Sequence, residues 1–374
     1  MAILSTFGAM TARGFGWLLQ TSAASYEVYT FGANTYGNLG VGNTTRYSSP
    51  VQVGSRSDNY ASALSLGGFY GTTFVKLNGS LYVAGNNTYG QLGLGDTTHR
   101  SSPVQVGADS WLFFVITNSG QGVRTNGTMW VTGYNADGRL GVGDTTNRSS
   151  PTQLGAATNW TALSNGGGSL YGIRGGALYG WGNNGSGQLG QSNTTFYSSP
   201  VQIGGATNWS SIAAKVGFSV AGGIRGGALY MWGYNGVGQL GQNNVTDYSS
   251  PVQVGAGTNW AVLVTGNSTF AIKTDGTLWA WGTNADGALG LGNLTNYSSP
   301  VQVGTLTTWL SVSVGQNNAI AIKTDGTLWS WGTNGNGELG LNDLVNRSSP
   351  VQVGSTTAWI QCSTGPFASS AVRS

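Results

Sequence analysis

The sequence predicts an all-β chain: a seven-bladed β-propeller of four-stranded blades, closed by pairing of its N- and C-terminal strands in one blade. Three observations carry this expectation. The first is composition: 64 of 374 residues are Gly, 7% are charged and 11% are aromatic, with 14 Trp. Disordered chains lack aromatics and carry excess charge, and coiled coils need dense Glu, Lys, Ala and Leu, so both classes are excluded. The second is a segment of the form Pro-Val-Gln-Val-Gly, which starts at Pro50, Pro103, Pro151, Pro200, Pro251, Pro300 and Pro350 at spacings of 48 to 53 residues. The third is an upstream signature, aromatic-x-x-Gly-x-Asn-x-x-Gly-x-Leu-Gly, with its Asn at Asn34, Asn87, Asn135, Asn184, Asn235, Asn284 and Asn334. A period of this length marks radial repetition of a small sheet that cannot bury its own faces.

Each element of the unit follows in order. Ala319-Ile-Ala-Ile-Lys323 alternates with period two and runs into Thr-Asp-Gly, a hairpin turn signal. Leu328-Trp-Ser-Trp331 is the returning strand, and Asn334 to Gly340 is a loop whose glycines permit positive φ. Ser348-Ser349-Pro350 introduces a short Val-Gln-Val strand, with Pro at the strand start. Trp359 opens the next strand, and no segment has helical periodicity. At the C-terminus, Ala371-Val372-Arg373-Ser374 aligns with Ala321-Ile322-Lys323-Thr324 but lacks a returning strand; Val28-Tyr29-Thr30-Phe31-Gly32 supplies it from the other end. That pairing removes two edges open to aggregation.

Two aromatic positions recur with the unit: Tyr60, Trp111, Trp160, Trp209, Trp260, Trp309 and Trp359, then Tyr29, Tyr82, Trp130, Tyr179, Tyr230, Trp279 and Trp329. They are expected to pack between blades. A cation ends each alternating strand, at Lys76, Arg124, Arg174, Arg225, Lys273, Lys323 and Arg373, which places seven of the fifteen basic residues on one rim. This basic rim reads as polar strand ends that keep the turns solvated, or as an electropositive edge that docks onto an acidic surface. The residue before each Ser-Ser-Pro step varies (Tyr47, Arg100, Arg148, Tyr197, Tyr248, Tyr297, Arg347), and diverging loops on a repeated frame are where specificity is expected.

Most chemistry is poorly supplied. One His (His99), one Cys (Cys362) and twelve carboxylates leave no structural zinc site, no disulfide within the chain and no triad. Asn135-Ala-Asp-Gly and Asn284-Ala-Asp-Gly resemble calcium-loop fragments, but no bidentate Glu follows, so they read as turns. No catalytic residue, metal or cofactor is expected. A net charge of +3 argues against nucleic acid as a partner, and no apolar run is long enough to insert in a membrane.

The unit Leu328-Trp-Ser-Trp-Gly-x-Asn-x-x-Gly-x-Leu-Gly, continuing to Arg347-Ser-Ser-Pro-Val-Gln-Val, resembles the regulator of chromosome condensation repeat across roughly residues 26–374. The resemblance implies a seven-bladed propeller, on a scaffold that hosts unrelated activities. The family's namesake exchanges nucleotide on a small nuclear GTPase, but the basic tail and inserted wedge of that role are missing here. Many members carry His before the Ala-Ile strand, where this chain has Gly315-Gln-Asn-Asn-Ala319.

Residues 1–25 fall outside every repeat and are expected to form an anchoring arm, leaving residues 26–374 as the propeller. Ser5-Thr-Phe-Gly-Ala and Ala12-Arg-Gly-Phe-Gly resemble segments that open some tailed-phage virion proteins. That likeness leads to the functional expectation: a non-enzymatic virion protein on a tail or capsid surface, acting in host attachment or as a decoration component. Phe7, Arg13, Phe15 and Trp17 would dock the arm to other virion proteins, and the propeller would meet a host-surface glycan or protein. The alternative is a soluble protein-interaction module or inhibitor from a bacterium, cytoplasmic or extracellular.

Overall fold

The hairpins follow from alternation and turn chemistry, and the ring follows from what each hairpin must cover. The computed structural model describes residues 27–373 except 56–59, 67–70, 77, 216 and 366–367, with residues 60–66, 72, 75 and 76 described by their backbone. The predicted anchoring arm, with Phe7, Arg13, Phe15 and Trp17, lies outside the described residues. In the last complete repeat, Asn318–Lys323 is buried along its whole length, between Trp309–Val314 on one side and Leu328–Gly332 on the other. Arg347–Gln352 completes the sheet as its outermost strand. It holds Pro350 in its middle rather than at its start, which an edge strand tolerates because one of its sides makes no ladder bonds.

The same four-strand order builds the sheets spanning 160–202, 209–253, 260–302 and 309–352. A fifth four-stranded sheet closes the ring. Glu27–Gly32 pairs antiparallel with Ala368–Arg373, in register from Glu27↔Arg373 to Gly32↔Ala368, between Tyr47–Val53 outside and Trp359–Thr364 inside. Glu27 adds an ion pair to Arg373 Nε at 2.5 Å. First strands of neighbouring repeats face one another around an axis, and hydroxyls stitch them: Ser164 Oγ accepts from Ala214 N (2.8 Å), and Ser313 Oγ from Thr364 N (3.0 Å).

The expectation of seven separate four-stranded blades is corrected. The described strands form six sheets: five four-stranded sheets and one of seven strands, because Arg100–Ile116 runs unbroken for 17 residues from the edge of one repeat into the start of the next. The physical reason is linker length. Nine residues carry the chain from Pro151, Pro200, Pro251, Pro300 or Pro350 to the following Trp, but only eight carry it from Pro103 to Trp111. The shorter path pulls the linker straight, and Ser110 pairs with Ser80 of the preceding repeat, which makes the two ladders one.

Sheets interlock through indoles on the returning strands. Trp181, Trp232, Trp281 and Trp331 are fully buried, and each Nε1 donates to a carbonyl in the loop of the preceding repeat: Arg139, Gln188, Gln239 and Ala288, at 2.7–3.0 Å. A buried indole that kept its N–H unpaired would forfeit a hydrogen bond. The two recurrent aromatic positions contact each other's rings within a sheet, as in Trp160–Tyr179 (5.8 Å) and Trp309–Trp329 (6.3 Å), while the first of them also packs against the preceding repeat, Trp260 joining Ala213, Val220 and Val254 and Trp309 joining Leu278 and Val303.

Candidate functional site

One rim is made of the loops between third and fourth strands, and the invariant Asn of each repeat builds it. Asn334 is buried; its Nδ2 donates to Asp343 O (3.0 Å), its Oδ1 accepts from Leu339 N (2.9 Å), and its own N–H donates to Asn346 Oδ1 (2.9 Å). The carboxamide bridges both ends of the loop in all seven repeats, always from Nδ2 to the carbonyl nine residues on and from the Leu amide five residues on. Each loop then leans on the next repeat. Gly337 adopts φ +80°, and a Cβ there would lie 2.6 Å from Ser48 Cα, so the position admits only glycine.

On this frame the variable positions flagged by the sequence are clamps. Three loops close with Asp-x-x-x-Arg pairs, Asp96–Arg100, Asp144–Arg148 and Asp343–Arg347, each at 2.6 Å. Four close with Asn-x-x-x-Tyr, where Asn43, Asn193, Asn244 and Asn293 donate to the hydroxyls of Tyr47, Tyr197, Tyr248 and Tyr297 at 3.0–3.2 Å. The backbone N–H two residues on, then the arginine, hold the three carboxyls below the usual carboxylate range. The side chains these clamps leave outside are the loop tips. Val245 and Leu294 are 62% and 67% exposed, and Leu344 occupies the same position on the next loop, beside exposed Val345; exposed Phe196 tips the loop before them. Thr44, Thr97, Thr145 and Thr194 hold that position in the first four loops, and Phe196 lies two residues beyond Thr194. Exposed apolar residues therefore lie on four consecutive loops, a pattern sequence reasoning missed, although its three-loop part, Val245, Leu294 and Leu344, is visible once the loops are aligned on Asn.

The opposite rim carries hairpin turns and inter-sheet linkers, and the predicted basic residues end strands there. Arg124 lies over Trp130 and Trp111 (3.6 and 5.1 Å), Lys273 over Trp279 and Trp260 (4.2 and 5.0 Å), and Lys323 over Trp329 and Trp309 (3.4 and 4.9 Å). Arg174 stacks on Tyr179 and Trp160 (4.6 and 5.2 Å), Arg225 on Tyr230 and Trp209 (4.4 and 5.2 Å), and Arg373 on Tyr29 (4.8 Å). Lys76 ends its strand at the equivalent place. Each stack is a cation–π contact that fixes the cation's direction. Asp109 pairs with Arg124 at 2.7 Å where a cleft of about 320 Å³ opens beside Trp111, Gln105 and Pro151. The Thr277 and Thr327 hydroxyls, with the N–H groups of the same residues, hold Asp275 and Asp325 below the usual range.

The rarer groups are absorbed locally. His99 Nδ1 accepts from Asn87 N at 3.0 Å, the role Asn346 Oδ1 plays in the last loop. Burial pushes the Cys362 thiol up to about 12. Among the described residues no three His, Cys, Asp or Glu side chains come together as metal ligands.

Comparison with known proteins decides the family. The Regulator of chromosome condensation (RCC1) repeat matches residues 27–72, 78–115, 175–221, 226–270, 275–322 and 325–372. The chain belongs to this family. Its fold is similar to that of Prp20p from Saccharomyces cerevisiae (TM-score 0.81, 17% identity, 94% of this chain and 92% of that one) and of human WBSCR16 (TM-score 0.82, 19% identity, 93% and 98%). Curated relatives include the human probable E3 ubiquitin-protein ligase HERC4, 35% identical over 88 residues, which are 23% of this chain and 8% of that protein. The dog X-linked retinitis pigmentosa GTPase regulator is 37% identical over 76 residues, 20% of this chain and 8% of that protein. The chain thus spans only a small part of the length of these relatives. These findings overturn the expectation of a tailed-phage virion protein, its virion location and its partners among virion proteins or host-surface glycans. That expectation rested on about 20 residues of the arm, whereas the matches run through the repeats and lead to eukaryotic RCC1-repeat proteins.

Proposed function

We propose that this RCC1-repeat chain is a protein-interaction module without catalytic activity of its own. The observation that carries this is the apolar arc of Phe196, Val245, Leu294, Leu344 and Val345, held solvent-exposed on loops that the buried Asn residues keep rigid. Apolar side chains on a preorganised surface gain burial on binding without a large ordering cost, which is the usual anatomy of a docking surface. Solved relatives support a protein partner: Prp20p is described with its binding properties to Gsp1p and histones, and in another structure yeast RCC1 (Prp20) is bound by Kap60. The scarcity of His and Cys supports the non-enzymatic part of the reading.

The test is comparative cross-linking in the source cells. A Val245→Ser, Leu294→Ser, Leu344→Ser variant is expected to lose at least ten-fold of one or more partners held by the wild type. A Thr44→Ala, Thr97→Ala, Thr145→Ala variant, altered at the same loop position on the other side of the ring, is expected to keep them. An unchanged partner set in the first variant would overturn the assignment.

A further inference from the structure

The basic rim is not uniform, and its differences occur together. In the 260–302 and 309–352 sheets the turn reads Lys-Thr-Asp-Gly-Thr-Leu-Trp, from Lys273 to Trp279 and from Lys323 to Trp329. In the 160–202 and 209–253 sheets it reads Arg-Gly-Gly-Ala-Leu-Tyr, from Arg174 to Tyr179 and from Arg225 to Tyr230. Three changes come as a set: Lys to Arg, Trp to Tyr, and loss of the turn carboxylate.

The geometry explains what the set accomplishes. Lys323 is buried between two indoles with Asp325 in its own turn. Arg174 and Arg225 remain part-exposed, and each spends one N–H on the hydroxyl of the tyrosine beneath it (3.1 and 2.9 Å). Among the described residues neither has a carboxylate within ion-pair distance, unlike Arg124 with Asp109 and Arg373 with Glu27. The linker joining these two sheets contains Gly204-Gly205, and a Cβ on either would meet no atom within 4 Å. Gly175 and Gly226 in the turns are exposed, and a Cβ there would meet only an asparagine amide, Asn159 Nδ2 at 3.6 Å and Asn208 Nδ2 at 3.9 Å. Two oriented guanidinium forks therefore flank an open strip of backbone.

We propose that Arg174 and Arg225, with the Gly204-Gly205 strip between their sheets, form a docking site for an acidic polypeptide segment. Guanidinium forks match carboxylates two bonds at a time. Stacking on Tyr and Trp fixes the forks before binding, and the bare strip lets an extended chain approach. This rim is opposite the apolar loop arc, so the proposal does not depend on that surface.

The experiment measures fluorescence anisotropy of a labelled ten-residue peptide of alternating Glu and Ser against the full chain. Saturable binding that weakens with added salt is expected. Arg174→Gln/Arg225→Gln should weaken it at least ten-fold, whereas Lys273→Gln/Lys323→Gln, which removes the same net charge, should change it less than two-fold. Gly205→Glu keeps both arginine stacks and places a carboxylate on the strip, so it should also abolish binding even if the arginine variant folds poorly. No saturable binding by the wild type, equal loss in the two double variants, or full binding by Gly205→Glu would each overturn the proposal. Competition by a phosphoserine peptide far stronger than by the glutamate peptide would overturn the carboxylate assignment.

Discussion

Lys215 shows how one turn can alter the chemistry of a repeated frame. Five residues join Trp209–Ala214 to Val220–Arg225, where three suffice after Trp260–Val264 and Trp309–Val314. The longer turn sends Lys215 toward the closing sheet, where Nζ donates to Thr364 O at 2.9 Å. Lys215 is only part-buried by surface, yet desolvation pushes its amine down to about 8 from an ordinary 10.5. The folded chain therefore releases this proton near pH 8, while the unfolded chain holds it to above pH 10. Between those values the unfolded state binds more protons, so stability should rise with pH, by at most about 3 kcal/mol and by less with residual solvent contact. Below pH 8 the charged amine opposes folding. Lys215→Met is expected to melt no lower than the wild type at pH 7 and to lack the rise that the wild type shows between pH 7.5 and 9.5. A wild-type melting temperature that is flat across that range, or a rise that persists in the variant, would show that the amine keeps its ordinary affinity for protons. Nothing in the sequence marked this lysine: its environment comes from a strand about 150 positions away.

At the scale of elements, legibility followed locality. The hairpin Asn318–Lys323 to Leu328–Gly332 could be read directly, because alternation and Thr-Asp-Gly act over a few residues. The Asn clamp was visible as an invariant, but its hydrogen bonds were not. The cation and its two aromatics were each visible as a column, but they meet only when the first, second and third strands lie side by side. The merged sheet was missed because it turns on a single residue of linker length. Inserting one Asn between Ser110 and Trp111 restores the nine-residue spacing of the other repeats. The Ser80–Ser110 pairing should then open, and amide exchange at Leu81, the next residue of the strand, should quicken about five-fold, the effect of losing one hydrogen bond of ~1 kcal/mol, while Ser80, whose N–H donates to Asn78 Oδ1 at 3.0 Å, should keep its protection. Hydrogen exchange followed by NMR reads this directly. Unchanged protection would mean that linker length does not set the continuous strand, and that the Asp109–Arg124 pair is the next cause to test.

For the whole molecule, the sequence disclosed how the ring closes but not what it meets. Val28 to Gly32 could be assigned to the last sheet because a returning strand was missing there, and closure needs only that complementarity. Function was less legible: the arm drew attention as the part without a repeat, while the apolar tips and paired arginines lay inside repeats that first read as uniform. The closure has a consequence for connectivity. Arg373 and Glu27 face each other as Ile322 and Leu328 do one position deeper in the neighbouring sheet, where Thr-Asp-Gly spans the turn. Joining Arg373 to Glu27 through Thr-Asp-Gly, and opening the chain between Thr305 and Leu306 in an exposed linker, should yield a permutant with the same sheets. Its melting temperature is expected within about 1.5 °C of linear residues 27–373, since no strand pairing changes and such a shift corresponds to roughly 1 kcal/mol in a chain of this length. Deleting Glu27–Gly32 should behave in the opposite way. It exposes the edge of Ala368–Arg373 and leaves Tyr47–Val53 unpaired, so the chain should aggregate. If the permutant aggregates as well, the order of synthesis is part of how the ring forms. If the deletion stays soluble and equally stable, the paired terminal strands are not what holds the ring shut.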